Sequence, residues 1–473
     1  MQSPTSYPQR ARPLLQWIES TAKTSSPSLD MGRAFTLYRA PGRLDLMGGI
    51  ADYCGSHVLE MTLDRATWLA FQWREDDRLI AHSLNAQQSG LPTPVRLHIR
   101  DFFNASGSLK NYTQIQSLFA SQKDPWAGYL LGGLYVLLRE KKISSPSKGF
   151  CMAIRSDVPL GAGVSSSAAL EVAALSALAT ELRCPIPPLE LAALAQKVEN
   201  RILGAPCGIM DQVAVHCGDA RRPVHIHCQP AEILETVPLP DGVEVCGLYT
   251  GAKRSTGGDS YRTARTGAFM GLTLLVEDLG FSHLGTYLCN MSPEAFRSVK
   301  NKLPVSLTGA EFLSNHKSVL DPITEIRPDE TYKIRNTVEH PVYENQRVLT
   351  FVKLLKSVHS LEGEAKRESF LGRAGRLMYA SNWSYRNRVG LGSPEVDHLV
   401  KMLRQKGPQK GIYGAKITGG GGGGTVAVLC EKSWLPELGD VFERYRKESG
   451  MTGDLFVGSS EGASHFHPIR VMP

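Results

Sequence analysis

Along residues 35–39 apolar and polar positions alternate, and 66–73, 79–83 and 95–99 are further strand candidates, with polar turn residues between. Alternation of this kind predicts half-buried strands. From 126 to 142 the apolar residues fall at helical spacing and run into a basic cluster suited to a helix C-terminus. Helical spacing also marks 14–22, 188–202, 342–357, 365–381, 394–405 and 435–447, whereas 150–154 and 243–250 read as strands. Residues 281–333 carry no clear period and read as an excursion with short helices. Near the end of the chain, GIYGAKIT and TVAVLC form two β-rich runs around six glycines, Gly419 to Gly424. No internal repeat is present.

The chain has 473 residues, enough for about two domains with a sizeable core in each. A stretch rich in Arg, Pro and His at 219–240 is the best candidate boundary. Hydrophobic content of 42% and charged content of 21% are ordinary for a globular protein. The formal charge of +7 is spread without a basic stripe, so nucleic acid is not an expected partner. Nine cysteines, an odd number without close CxxC pairs, argue against a disulfide framework or a zinc site and suit a reducing cytoplasm. Neither an apolar leader nor a run of about 18 apolar residues occurs, so membrane association is not expected.

The densest chemical signal is DVPLGAGVSSSAALEVAA at 157–174, which reads strand, glycine loop, helix. Gly161 and Gly163 let backbone N–H groups turn inward, and Ser165, Ser166 and Ser167 open the helix where its free N–H groups and dipole favour an anion. Serine hydroxyls beside a phosphate also suit Mg²⁺, which prefers oxygen ligands. An ordinary strand-to-helix turn with a serine N-cap has the same appearance. The six-glycine run reads equally as a flexible linker, although its apolar flanks favour a turn in which backbones approach closely.

Together with PGRLDLMGGIADY at 41–53 and CGIMDQ at 207–212, these blocks resemble the GHMP small-molecule kinases, most nearly the galactokinase branch. VYENQRV at 342–348, LMYASNWSYRN from 377 and SPEVDHLV up to 400 extend the resemblance, which runs from about 35 to 459. It implies an α+β fold of two domains with mixed β-sheets and helices and an active site in the cleft between them. A short arm (1–34), an ATP-binding domain (35–220) and a C-terminal domain (221–473) are the expected divisions. Asp211, expected on a turn, corresponds to the catalytic aspartate and Arg43 to the active-site arginine. Pro159, Gly161, Gly163, Val164, Ser165, Ser166, Ser167 and Ala168 match the ATP-binding motif, with Ser166 and Glu199 at the Mg²⁺ positions. Asp52, Tyr261, Gly208, Gly420 and Gly421 match sugar-binding positions. Standing alone, Asp211 reads as a surface turn residue, Arg43 as a surface arginine, Glu199 as a solvent-facing helix glutamate and Tyr261 as packing.

The segment MGGIADY departs from the galactokinases at Gly49 and Ile50, where that branch has Glu-His. In the family the glutamate helps bind the hydroxymethyl hydroxyl of galactose. L-arabinopyranose matches galactopyranose in relative ring configuration, with hydrogen in place of that group. A pocket that keeps Asp52 but turns apolar at 49 and 50 therefore suits L-arabinose, and the segment also resembles the arabinokinase branch of plants. The sequence-based expectation is an ATP-dependent sugar-1-kinase acting on L-arabinose, with D-galactose as the alternative. A non-catalytic sugar and ATP sensor remains open, as does a diphosphate decarboxylase on the same fold. Oligomeric state is left open.

Overall fold

The computed structural model describes residues 8–22, 29–121, 125–252, 257–422 and 424–473. Parts of the expected N-terminal arm, residues 253–256 of the loop before Tyr261, and Gly423 of the glycine run lie outside the described residues.

Two sheets organise the chain. The first runs in the order Ile469–Val471, Phe35–Met47, His57–Trp73, Phe150–Ser156, Arg78–Ser83, Val95–His98, and Val224–His227 with Glu232–Thr236 joins it along the first part of His57–Trp73. Its pairs are antiparallel except Arg78–Ser83 with Phe150–Ser156, which makes the sheet mixed. The second sheet, Ile412–Ile417, Thr425–Glu431, Val243–Tyr249 and Asp454–Phe456 in that order, is antiparallel. The first sheet thus reaches past residue 220 and takes in most of the expected boundary stretch. The second begins at Val243. Residues 469–471 return to the first sheet beside Phe35, so that sheet draws strands from both sides of residue 220.

The strand expected at 35–39 continues to Met47 through Pro41 and Gly42. The register shifts between Pro41 and Arg43 absorb the proline, which has no N–H to offer a ladder. Beyond that shift Leu44 and Leu46 enter a hydrophobic cluster with Val158, Val164 and Phe351, while Arg43 and Asp45 point to the other face. Both charges are buried there. Asp45 meets Lys416 at 2.7 Å with neither side chain exposed, so an ion pair ties the first sheet to the second.

Helix Ser166–Glu181 buries its alanine-rich face with Leu130, Leu134 and Ile154. Helix Pro188–Lys197 gives way to a wider π-helical turn, Val198–Ile202, which carries Glu199. Such turns re-aim side chains and recur at functional sites. Asp211, expected on a turn, stands in the first turn of helix Met210–Cys217. Residues 281–333 form short helices and a two-stranded piece, Leu307–Thr308 with Thr331–Tyr332, laid against helix Gly257–Thr273 and helix Ile334–Val358. Among the described residues no helix is long and apolar enough to cross a membrane. All nine cysteines are free.

Candidate active site

A cavity of about 600 Å³ lies where the serine loop, the segment 204–211, helix Gly257–Thr273 and the glycine run meet. Of the expected site residues, Arg43, Ile50, Asp52, Gly161, Gly163, Ser165, Ser166, Ser167, Glu199, Gly208, Asp211, Tyr261 and Gly420 line it. Pro159, Val164, Ala168, Gly49 and Gly421 do not. Ala168 is a core residue, Val164 turns its carbonyl to the Arg43 N–H at 3.2 Å, and Gly421 backs onto Leu391.

Arg43 is the hub. Its Nη2 donates to Asp211 Oδ1 at 2.5 Å, its Nε to the same oxygen at 3.0 Å, and its Nη1 to the Gly163 carbonyl at 2.9 Å. Glu60, fully buried, stands 3.1 Å from Nε on the other side. Burial opposes the guanidinium charge, but Asp211, Glu60 and Asp45 outweigh it and raise the pKa. One cation therefore fixes the carboxylate of Asp211 and the carbonyl side of the serine loop in a single geometry.

The loop itself is shaped by close backbone approach. A Cβ on Gly163 would come within 2.9 Å of the Thr418 carbonyl, and one on Gly424 within 2.5 Å of the Ala162 carbonyl. A Cβ on Gly419 would overlap the Gly163 carbonyl oxygen. The glycine run is thus a packed turn, as its apolar flanks implied. Ser165 adopts φ 59° and ψ 47°, left-handed and costly for a residue with a Cβ. Its buried Oγ has no hydrogen-bond partner among the described residues. A strained backbone with an unsatisfied hydroxyl beside the first N–H groups of a helix is suited to receive an anion.

Beside the loop lies a group of carboxylates, of which Glu199 meets the Ser167 hydroxyl. Gln212 Nε2 bridges Glu199 at 2.9 Å and Glu171 at 3.2 Å. Burial and then Asp211 push the Glu199 carboxyl up to about 7, and burial with Glu199 raises Glu171 well above the usual range. No cluster of three or more His, Cys, Asp and Glu with metal-holding geometry occurs among the described residues. Mg²⁺ needs only one or two protein carboxylates when phosphates and waters complete its shell. The buried Glu199 carboxylate, which lines one cavity with Ser165, Ser166 and Ser167 and meets the Ser167 hydroxyl, fits that need.

Asp52 is 5% exposed, and a Cβ on Gly208 would overlap its carboxylate, so glycine there is required for Asp52 to sit where it does. Ile50 forms a neighbouring wall with φ 60°, a conformation rare for a β-branched residue. Tyr261 packs edge-on against Tyr53, over which Arg265 also lies at 5.0 Å. The sequence reading missed Glu325 and Arg327, which bring the patternless segment to the cavity. Arg265 anchors that segment through Asp321 at 2.9 Å and Thr324 at 3.0 Å. A lone Arg and Glu in a stretch without period gave no signal to find.

Residues 129–219 match the model of the GHMP kinases N terminal domain, 364–440 that of the GHMP kinases C terminal, and 30–72 the galactokinase galactose-binding signature. Over 92% of its length the chain is 36% identical to an L-arabinokinase of Arabidopsis thaliana, of which it spans 46%. It is 30% identical to a galactokinase of Chloroflexus aggregans, with 85% of each covered. A crystal structure of Lactococcus lactis galactokinase complexed with galactose shares the fold at a TM-score of 0.67 and 22% identity, covering 95% of this chain and 98% of that one. Methanococcus jannaschii mevalonate kinase shares it at 0.56 and 16%, covering 90% and 98%. The chain belongs to the GHMP kinases, in the branch of sugar kinases that holds the galactokinases and L-arabinokinases.

The strain at Ser165 generates a test. Ser165→Gly removes a left-handed side chain at the expense of a floppier unfolded chain, a net gain of up to about 1 kcal/mol in unfolding free energy by denaturant titration. The same change removes the inward hydroxyl, and nucleotide affinity by calorimetry is expected to fall.

Proposed function

We propose that the chain is an ATP-dependent sugar-1-kinase that phosphorylates the anomeric hydroxyl of L-arabinose. The observation that carries this reading is that Ile50 and Asp52 line the same cavity as Asp211 and the serine loop. Asp52 accepts from two adjacent ring hydroxyls, and Ile50 presents a wall that offers nothing to a hydroxymethyl hydroxyl. Gly161, Gly163 and Ser165 to Ser167 hold the triphosphate by backbone N–H groups, hydroxyls and the helix terminus. Ser166 and Glu199 would hold Mg²⁺, which would supply positive charge to offset the negative charge of the phosphates.

In the transfer, Asp211 takes the proton from the anomeric hydroxyl as that oxygen bonds to the γ-phosphorus, and the bond from the γ-phosphorus to the β–γ bridging oxygen breaks. ADP and the sugar 1-phosphate leave. Arg43 holds Asp211 in line and adds positive charge where the phosphoryl group passes. A second reading, D-galactose as substrate, is supported by the likeness to galactokinases over most of their length. An ADP-release assay over a sugar panel decides between the two and also tests the sensor alternative, which requires binding without turnover.

Three outcomes are expected. Asp211→Asn lowers turnover by about 10²-fold or more while sugar and nucleotide binding stay near wild type, since a positioned base acts mainly in the transition state. Near-normal turnover in the purified variant removes Asp211 from the mechanism. Against Ile50, the extra hydroxyl of galactose is buried without a partner at about 1–3 kcal/mol, so kcat/KM favours arabinose by roughly 5- to 150-fold. A wild-type preference for galactose overturns that assignment.

The third outcome concerns pH. Burial, reinforced by Asp211, pushes the Asp52 carboxyl up to about 6. A raised carboxyl pKa means that the neutral form takes over as pH falls through about 6, where a free aspartate with pKa about 3.9 is still ionised. A neutral Asp52 loses one acceptor arrangement for the sugar, so kcat/KM for the sugar drops by up to about tenfold per pH unit below that point. The same profile taken for ATP lacks this inflection, and Asp52→Asn abolishes it. A sugar profile flat from pH 7 to 5 counts against Asp52 as the sugar's acceptor.

A further inference from the structure

Position 49 is closed to any side chain. A Cβ on Gly49 would overlap both the Tyr385 hydroxyl and Asp45 Oδ2, and it would lie 3.0 Å from Tyr385 Cζ. Tyr385 is itself fully buried on helix Glu364–Asn387. Its hydroxyl lies 3.0 Å from the Gly419 carbonyl and 3.1 Å from Asp45 Oδ2, where Lys416 Nζ also binds at 2.7 Å. His340 Nε2 holds the Gly49 carbonyl at 3.0 Å, and its other ring nitrogen meets Ser384 Oγ at 2.9 Å, one residue before Tyr385. Glu344 Oε1 accepts from the Gly48 N–H at 3.2 Å. The turn leading to Ile50 and Asp52 is therefore clamped from the second half of the chain. The tyrosine hydroxyl stands where a side chain at 49 would begin.

We propose that Tyr385 is the positioning residue that sets sugar choice. Its hydroxyl excludes any side chain from position 49, ties the sugar-side turn to the glycine run at Gly419, and so holds Ile50 against the cavity in its left-handed conformation. This deepens, and rests on, the reading of the Ile50–Asp52 wall as the sugar site. Gly49 and Tyr385 act as one unit, since a polar side chain can enter at 49 only when residue 385 is shortened and Asp45 Oδ2, which the tyrosine hydroxyl helps to hold where that Cβ would overlap it, is free to turn aside. The exchange of Gly49 and Ile50 for Glu and His, which the sequence alone suggests as a switch to galactose, is blocked without a third change.

The test compares the wild type, Gly49→Glu with Ile50→His, Tyr385→Leu, and the three changes together. Thermal midpoint, ATP KM, and kcat/KM for L-arabinose and D-galactose are measured for each. The 49/50 pair of changes should lower the thermal midpoint and reduce kcat/KM for both sugars more than tenfold. Adding Tyr385→Leu should recover the midpoint in part and shift the galactose-to-arabinose ratio at least tenfold towards galactose. Tyr385→Leu alone should raise the sugar KM about tenfold, the scale of a lost hydrogen bond to a charged acceptor, with ATP KM within about twofold. A 49/50 variant that is as stable as wild type and already switched overturns the proposal, as does a triple variant no better than the pair. Gly49→Ala with and without Tyr385→Leu repeats the cycle in thermal midpoint with the fewest atoms added, and strictly additive effects overturn the coupling. If the wild type turns over neither sugar, the proposed substrate and the specificity role both fall, while this alanine cycle still reports whether 49 and 385 are paired.

Discussion

Two charges carried into the interior on one face of strand Phe35–Met47 constrain much of what surrounds them. A buried guanidinium or carboxylate without a partner costs several kcal/mol, so each must be met by groups delivered from elsewhere in the chain. Arg43 is met by Glu60 on the next strand, Asp211 on helix Met210–Cys217 and the Gly163 carbonyl of the serine loop. Asp45 is met by Lys416 and Tyr385 from the second half of the chain. The first set fixes Asp211 relative to the serine loop. The second fixes the two sheets, and with them the two sides of the cavity, relative to each other. A pair broken on one side leaves a bare charge on the other, so the geometry is held by the penalty for losing it.

A second constraint is backbone contact. The serine loop and the glycine run touch through Gly163, Gly419 and Gly424, each at positive φ and each without room for a side chain. Loops in such contact have little freedom to shift separately, which suits a site whose chemistry is mostly positioning and charge neutralisation. Ser165, in the serine loop, and Ile50, in the wall of the same cavity, both hold a positive φ that is costly for a residue with a Cβ. Backbone strain of this kind persists only where the surrounding structure over-determines it. Here the His340, Glu344 and Tyr385 clamp on one side and the Arg43 hub on the other supply that structure.

The patternless stretch at 281–333 follows the same logic at lower cost. Beyond the two-stranded piece Leu307–Thr308 with Thr331–Tyr332, it borrows burial from helix Gly257–Thr273 and helix Ile334–Val358. Its link to the site is the Arg265–Asp321 pair, 4% and 11% exposed, which fastens the segment where Glu325 and Arg327 reach the cavity.

Local pattern was enough to read most strands and helices, the glycine loop with its serine helix, and the glycine turn between two strands, because period and turn chemistry are properties of neighbouring residues. The short glycine-bearing motifs likewise pointed to the GHMP kinases and to Arg43, Asp52 and Asp211, which the fold gathers round one cavity. Strand Phe35–Met47 ran past its predicted end because a register shift accommodates Pro41, and Asp211 fell on a helix, both decided by partners distant in sequence. The same holds for the reach of the first sheet beyond residue 220, where Val224–His227 is drawn to the start of strand His57–Trp73. No local signal marks Glu60, Lys416 or Tyr385 as site-forming, since each acts only by filling a charge or a volume left by a residue hundreds of positions away or on another strand. Sequence alone determined that Gly49 lacks a side chain; only the fold, by setting the Tyr385 hydroxyl in that space, decided that it can have none.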